Sequence, residues 1–212
     1  MPIWGEHPFR IPPLVSGHEV AGDVVAVGEA VTPETNIVVI GTGPIGIGDY
    51  LCSRLYNPKK IIMVDISDFN LEKTREMGAE YTVNSRLENL YDRVMELTDG
   101  VGADVTILAY GDEPTLQQAA EITRRAGTVV QHALMTDGLA FPYRVHQQHE
   151  LDFKAYNMYR REDFELVANA IAEGKMDLSK FVTQRYPIEQ FKEAMYMADK
   201  RPEPVLKVMV HF

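Results

Sequence analysis

The sequence predicts an α/β fold built on a doubly wound parallel sheet, and three observations carry that prediction. From Ile37 onward, short apolar β-rich runs alternate with amphipathic helical ones. The first two runs, Ile37–Ile40 (IVVI) and Lys60–Val64 (KIIMV), are almost continuously apolar, as strands buried on both faces are. A glycine-rich hexapeptide, Gly41-Thr42-Gly43-Pro44-Ile45-Gly46, joins the first of these strands to the helix that follows.

The elements follow in order. The helix after the glycine-rich turn spans about Pro44 to Tyr56, with proline in its first turn. Beyond the Lys60–Val64 strand, Leu71–Met77 reads as a helix with Gly78 as its C-terminal cap. Tyr81–Val83 is a strand, Leu87–Leu97 a helix and Asp99-Gly100 a turn. Asp104–Ala109 (DVTILA) is a strand, Pro114–Arg124 a helix and Thr128–Val130 a strand. A strand around Leu151–Tyr156 follows, then helices over Glu162–Glu173 and Ile188–Asp199, and a closing strand over Val205–Val210.

The first residues differ in kind. Glu19–Val27 (EVAGDVVAV) reads as a strand, preceded by Arg10-Ile11-Pro12-Pro13, and looks like part of a separate β-rich unit. The expected organisation is a small β-rich piece over residues 1–36, an α/β domain over 37–200, and a C-terminal strand over 201–212 that returns to the first piece. There is no internal repeat and no low-complexity segment.

Bulk composition narrows the function classes. With 45% hydrophobic and 25% charged residues, the 212-residue chain has an ordinary globular balance. A formal net charge of -10 argues against a nucleic-acid backbone or an anionic membrane as partner. The one cysteine, Cys52, excludes an intramolecular disulfide and a cysteine-rich zinc site. No apolar run reaches the roughly 20 residues of a membrane span, and the N-terminus has no basic start or apolar core. A cytoplasmic location is expected.

The glycine-rich turn has the context of a dinucleotide-binding Rossmann motif: a buried strand before it, a helix after it, and Asp65 at the end of the next strand. Gly41 permits the turn, Gly43 lets the backbone approach a pyrophosphate, and Gly46 lets the helix pack against the sheet. The helix N-terminus offers N–H groups and a positive dipole end to the phosphates. Asp65 would accept hydrogen bonds from the adenosine ribose hydroxyls and repel a 2′-phosphate. The residues after it, Ile66-Ser67-Asp68-Phe69-Asn70, include no arginine and a second acid, so NAD is expected rather than NADP. The expected cofactor contacts are Gly41, Gly43, Pro44, Ile45, Gly46, Asp65, Ile66, Asn70 and Ala109.

Val15-Ser16-Gly17-His18-Glu19-Val20-Ala21-Gly22-Asp23-Val24-Val25-Ala26-Val27-Gly28 closely resembles the GHE-x-x-G-x-V-x-x-V-G signature of zinc-type medium-chain alcohol dehydrogenases. IVVIGTGPIGI, EMGAEYTVNS, GVGADVTI, AGTVV and the C-terminal EGKMDLSKFVTQRYPIEQFKEAMYM and LKVMV resemble the same family, most closely its polyol and threonine dehydrogenase branch. The resemblance implies hydride transfer between NAD(H) and a small alcohol or carbonyl compound, and a homodimer or higher homo-oligomer.

The departures are equally specific. The family's upstream catalytic cysteine, its structural zinc lobe and its last catalytic ligand have no counterpart here, since Thr32–Asn36 alone fills the interval where two of them should lie. His18 and Glu19 therefore lack the third protein ligand a catalytic zinc needs, and rescue by His7 would demand unusual geometry. The chain is expected to act without zinc. His132 stands where the family has an aliphatic residue beside the nicotinamide, and Tyr110 follows the fourth strand; these are the candidate proton donors. His146 and His149 would share a face on a helix, but with no third ligand in view their segment reads as solvated and polar. The alternative is an NAD(H)-binding protein without turnover.

Overall fold

The computed structural model describes residues 31–135, 138–156 and 160–212. The expected strand Glu19–Val27, and with it His7, His18 and Glu19, lies outside the described residues. Eight strands are defined: β1 (Asn36–Ile40), β2 (Lys60–Asp65), β3 (Tyr81–Asn84), β4 (Ala103–Leu108), β5 (Thr123–Gln131), β6 (Asp152–Ala155), β7 (Gln184–Pro187) and β8 (Val208–His211). The helices are α1 (Pro44–Arg54), α2 (Asp68–Glu76), α3 (Leu90–Leu97), α4 (Glu113–Ile122), α5 (Tyr143–His149), α6 (Arg161–Ala172) and α7 (Phe191–Lys200).

The first six strands form one parallel sheet in the order β3-β2-β1-β4-β5-β6. This is the doubly wound order, and its topological switch point lies between β1 and β4. Period-two alternation along each strand feeds two apolar layers. Ile37, Val39, Met63, Ile107 and Val130 pack with Ile47 and Leu51 of α1 and with Val167 and Ala170 of α6. Val38, Ile40, Ile62, Val64, Leu108 and Val129 pack on the other face against Leu90 and Val94 of α3 and Leu116 and Ala119 of α4. A sheet covered on both faces explains why the runs Ile37–Ile40 and Ile61–Val64 are apolar at every position.

The helix starts follow local side-chain chemistry. Ser67, Asn89 and Asp112 accept backbone N–H bonds at the N-termini of α2, α3 and α4, and Asp112 with Thr115 forms a reciprocal capping box. The cap at Asn89 puts the start of α3 at Leu90 rather than at Leu87, which is solvent-exposed.

Three stretches depart from the sequence reading. The chain leaves α4 at Ile122, because β5 already begins at Thr123 with a register shift between Ala103 and Val105. Tyr143–His149, read as solvated, is the helix α5 and buries His146. Gln184–Pro187 is the strand β7, and the C-terminal strand β8 pairs parallel with it. The expected return of that strand to the N-terminal piece falls outside the described residues. Among the described residues, no helix is long and apolar enough to cross a membrane.

Candidate cofactor-binding and catalytic site

The crevice at the switch point is built by the turn from β1 into α1. Gly41 has φ +97, a backbone conformation that glycine adopts without strain, and a Cβ there would stand 2.7 Å from the Tyr110 Cβ. A Cβ at Gly46 would fall 1.7 Å from the Gly41 carbonyl oxygen and 3.2 Å from the Ala109 Cβ, so α1 could not sit this close to the turn. At Gly43 a Cβ would meet nothing within 4 Å: this glycine borders open space. Ile47 N–H donates to the Gly43 carbonyl at 3.0 Å. The N–H groups of Gly43, Ile45 and Gly46 precede that bond and have no intrahelical acceptor, while Pro44 has no N–H to satisfy. Open space at Gly43 and the positive end of an 11-residue helix suit a phosphate.

Asp65 closes β2 beside this turn, and its carboxylate accepts from five donors. Oδ2 takes the Thr42 backbone N–H at 2.7 Å, the Thr42 hydroxyl at 2.9 Å and the Asn70 side-chain amide at 3.4 Å. Oδ1 takes the N–H groups of Ile66 and Ser67, both at 2.8 Å. Asp65 therefore also pins the glycine-rich turn to the end of β2, a role the sequence reading missed; Thr42, the variable residue of the motif, is its partner. Ile66 and Ile45 are both solvent-exposed at the rim.

The other half of the crevice is framed by the ends of β4 and β5. Ala109 and Tyr110 both donate backbone N–H bonds to the Ile40 carbonyl, at 2.9 and 3.0 Å. His132 and Ala133 do the same to the Leu108 carbonyl, at 3.1 and 2.8 Å. The strand ends bearing Gly41, Ala109, Tyr110 and His132 therefore form one continuous rim. The Tyr110 side chain is exposed. The His132 side chain is mostly buried, with Nδ1 at 3.2 and 3.4 Å from the two carboxylate oxygens of Asp49, a buried acid on α1. Asp49 was not anticipated, although a carboxylate among Ile47, Tyr50, Leu51 and Cys52 is an anomaly readable in the sequence.

Among the described residues, no group of three or more His, Cys, Asp or Glu side chains could hold a metal ion. His146 and His149 do not form a half-site. The His146 ring packs 4.5 Å from Phe141 and 5.7 Å from Phe153, and burial holds its pKa below the usual histidine value, with the neighbouring His149 adding to the effect. His149 instead places Nδ1 3.3 Å from the Thr123 carbonyl. The solvated reading of this segment is corrected: His146 is buried because Phe141 and Phe153 offer it an aromatic surface.

A parallel sheet in this order, with a glycine cradle at its switch point and an acid closing β2, is the doubly wound Rossmann arrangement. A family model described as zinc-binding dehydrogenase matches residues 44–173, and the chain belongs to that family. D-xylulose reductase A of Aspergillus oryzae is 31% identical over 170 residues, which cover 78% of this chain and 48% of that protein. Sorbitol dehydrogenase of Bacillus subtilis is 26% identical over 211 residues, covering 96% of this chain and 60% of that protein. A short chain alcohol dehydrogenase from Escherichia coli complexed with NADH superimposes with a TM-score of 0.80 at 22% identity, over 89% of this chain and 55% of that one. The chain thus spans about half the length of the relatives it matches.

Proposed function

We propose that this chain is an NAD(H)-dependent oxidoreductase that interconverts a small alcohol or polyol with its aldehyde or ketone. The observation that carries the reading is the pairing, in one crevice, of open space at Gly43 with the Asp65 carboxylate at the end of β2. The names of its relatives support the substrate class, and the NADH complex of a structural neighbour supports the cofactor. When bound, NAD supplies the hydride acceptor; the chain supplies position and electrostatics.

The residues fit that cofactor. The N–H groups of Gly43, Ile45 and Gly46 would hold the pyrophosphate, with Pro44 shaping the first turn. Asp65 would take the adenosine ribose, whose hydroxyls must displace the longest of its present donors, the Asn70 amide, or the Thr42 hydroxyl. Ile66 and Asn70 would flank the adenosine, while Ile45 and Ala109 would lie under the chain toward the nicotinamide. A carboxylate at this point, with no arginine or lysine from Ile66 to Asn70, favours NAD over NADP. His132 and Tyr110, on the rim beyond Ala109, are the proposed proton donors.

We read the reaction as independent of the family's usual catalytic zinc, because Thr32–Asn36 alone fills the internal interval where the resemblance places the last catalytic ligand. The outer edge of β6, unpaired among the described residues, supports a homodimer or higher homo-oligomer, and the lone cysteine suits a reducing, cytoplasmic setting. The second reading, NAD(H) binding without turnover, is favoured by the short interval Thr32–Asn36, which is too small for the zinc lobe that the resemblance implies. Fluorescence titration with NADH and NADPH, followed by absorbance assays on a panel of alcohols, aldehydes and ketones with and without chelator, separates the two. Tight NADH binding, weak NADPH binding and chelator-resistant turnover are expected; no binding of either nucleotide overturns both readings.

A further inference from the structure

We propose that Asp49 and His132 form a proton-handling pair at the nicotinamide end of the crevice. Asp49 is the positioning residue that orients the ring, and His132 exchanges the proton of the substrate oxygen. The proposal rests on the oxidoreductase reading above.

Asp49 is 2% exposed, in the middle of the helix that presents the phosphate cradle. A carboxylate in such a place persists only with a partner that compensates its lost hydration. One such contact reaches across 83 residues of sequence to the His132 ring, both carboxylate oxygens lying within 3.4 Å of Nδ1. Packing alone asks for an aliphatic side chain here, since Ile47, Leu51 and Cys52 around Asp49 on α1 are all buried.

Orientation has a chemical consequence. With Nδ1–H donated to the carboxylate, the tautomer is fixed and Nε2 becomes the proton-exchanging atom. When Nε2 takes a proton, the imidazolium charge is balanced by a carboxylate already in contact, as in other acid–histidine pairs. The location follows from the backbone: His132 is hydrogen-bonded to the end of β4, which is hydrogen-bonded to the end of β1 beside Gly41. Asp65, which marks the adenosine side, lies on β2, in the opposite direction along the sheet. Asp49 itself lies one helical turn beyond Ile45, on the same face of α1.

In the oxidising direction a bound NAD would accept the hydride of the alcohol C–H bond, and His132 Nε2 would take the O–H proton as the C=O bond forms. The imidazolium then returns its proton to water. Reduction runs the same transfers backward, with Nε2–H donating to the carbonyl oxygen.

The test combines ring NMR with kinetics on the full chain. In protein labelled with 15N-histidine, His132 should show a protonated Nδ1 and a bare Nε2, and saturating NADH should shift its ring signals. Asp49→Asn should lose the single-tautomer pattern. In turnover assays, His132→Gln and Asp49→Asn should each lower kcat by about 100-fold or more, with KM and NADH affinity within about twofold. The double variant should fall no further, because the two residues act as one unit. Ring signals that ignore saturating NADH, or kcat within about twofold of wild type in both single variants, overturn the pair and leave the oxidoreductase reading standing. NADH binding with no turnover on any substrate overturns the reading and the proton-carrying role together.

Discussion

The two halves of the crevice are polar in different ways. On the adenosine side, the Asp65 carboxylate is saturated largely by backbone N–H groups of Thr42, Ile66 and Ser67, which local chain geometry delivers. On the nicotinamide side, Asp49 and His132 meet as side chains from a helix and a strand far apart in sequence. The first arrangement is a property of a motif, since any chain turning this way presents the same donors. The second depends on two particular residues being chosen together. A cofactor grip can thus be common to many chains while the group beside the reacting atom is specific to one.

Substitutions sharpen that contrast, and the largest effect belongs to the motif. Gly46→Ala forces a Cβ to within 1.7 Å of a backbone oxygen and should destabilise the fold by about 3 kcal/mol or more in thermal unfolding. Gly43→Ala should leave stability within about 0.5 kcal/mol, since its φ of -70 suits alanine and its surroundings are open. It should nevertheless weaken NADH about tenfold or more by crowding the pyrophosphate.

Breaking the side-chain pair comes next. Asp49→Leu alone leaves the His132 ring without its carboxylate and should cost about 1–3 kcal/mol in urea unfolding. Adding His132→Val should recover most of that loss, because an apolar replacement of both partners is often neutral or stabilising. Asp65→Asn should weaken NADH by about 10- to 100-fold, the worth of a charge-assisted hydrogen bond of roughly 1.5–3 kcal/mol, and NADPH by less. Calorimetric titration with both nucleotides checks this; equal losses would mean that Asp65 serves the turn alone.

The smallest effect concerns acid. His146 has a folded-state pKa below its unfolded value, chiefly through burial. Above the unfolded value both states are neutral and the contribution is fully present. As pH falls through that value toward the folded one, the unfolded state binds the extra proton and stability drops. His146→Leu should flatten the stability–pH curve in this window, measured by unfolding at pH steps from 7.5 to 5. Its cost at neutral pH should be small, since the buried Nε2 has no hydrogen-bond partner among the described residues.

The β1–α1–β2 unit was legible because apolar strands, glycine spacing and a terminal acid are all set by local rules. The same rules hid other elements. Strand β7 reads Gln-Arg-Tyr-Pro, polar and ending in proline, and among the described residues its strand partner is β8. Helix α5 has seven residues, too few for a periodic apolar signal, and the side chain it buries is a histidine. In the site, Gly41, Gly43, Gly46 and Asp65 could be read from spacing. That His132 faces Asp49 could not, because nothing local to either residue names the other.

The β7–α7–β8 unit has a consequence for how the molecule opens. Its ladder joins residues about 24 positions apart, and Thr183 ties the strand entrance by donating to the Lys207 carbonyl and accepting from Leu206 N–H. Helix α7 buries Ala194 alone, while Phe191, Tyr196 and Met209 remain exposed. Short loop closure makes such a unit quick to form, and shallow burial makes it cheap to open. Its amide protons should therefore exchange as a group and well ahead of those in β1 and β4, which are paired along both edges and covered by helices. Native-state hydrogen exchange would then resolve two cooperative units in one chain, the C-terminal one breathing while the cofactor crevice stays shut.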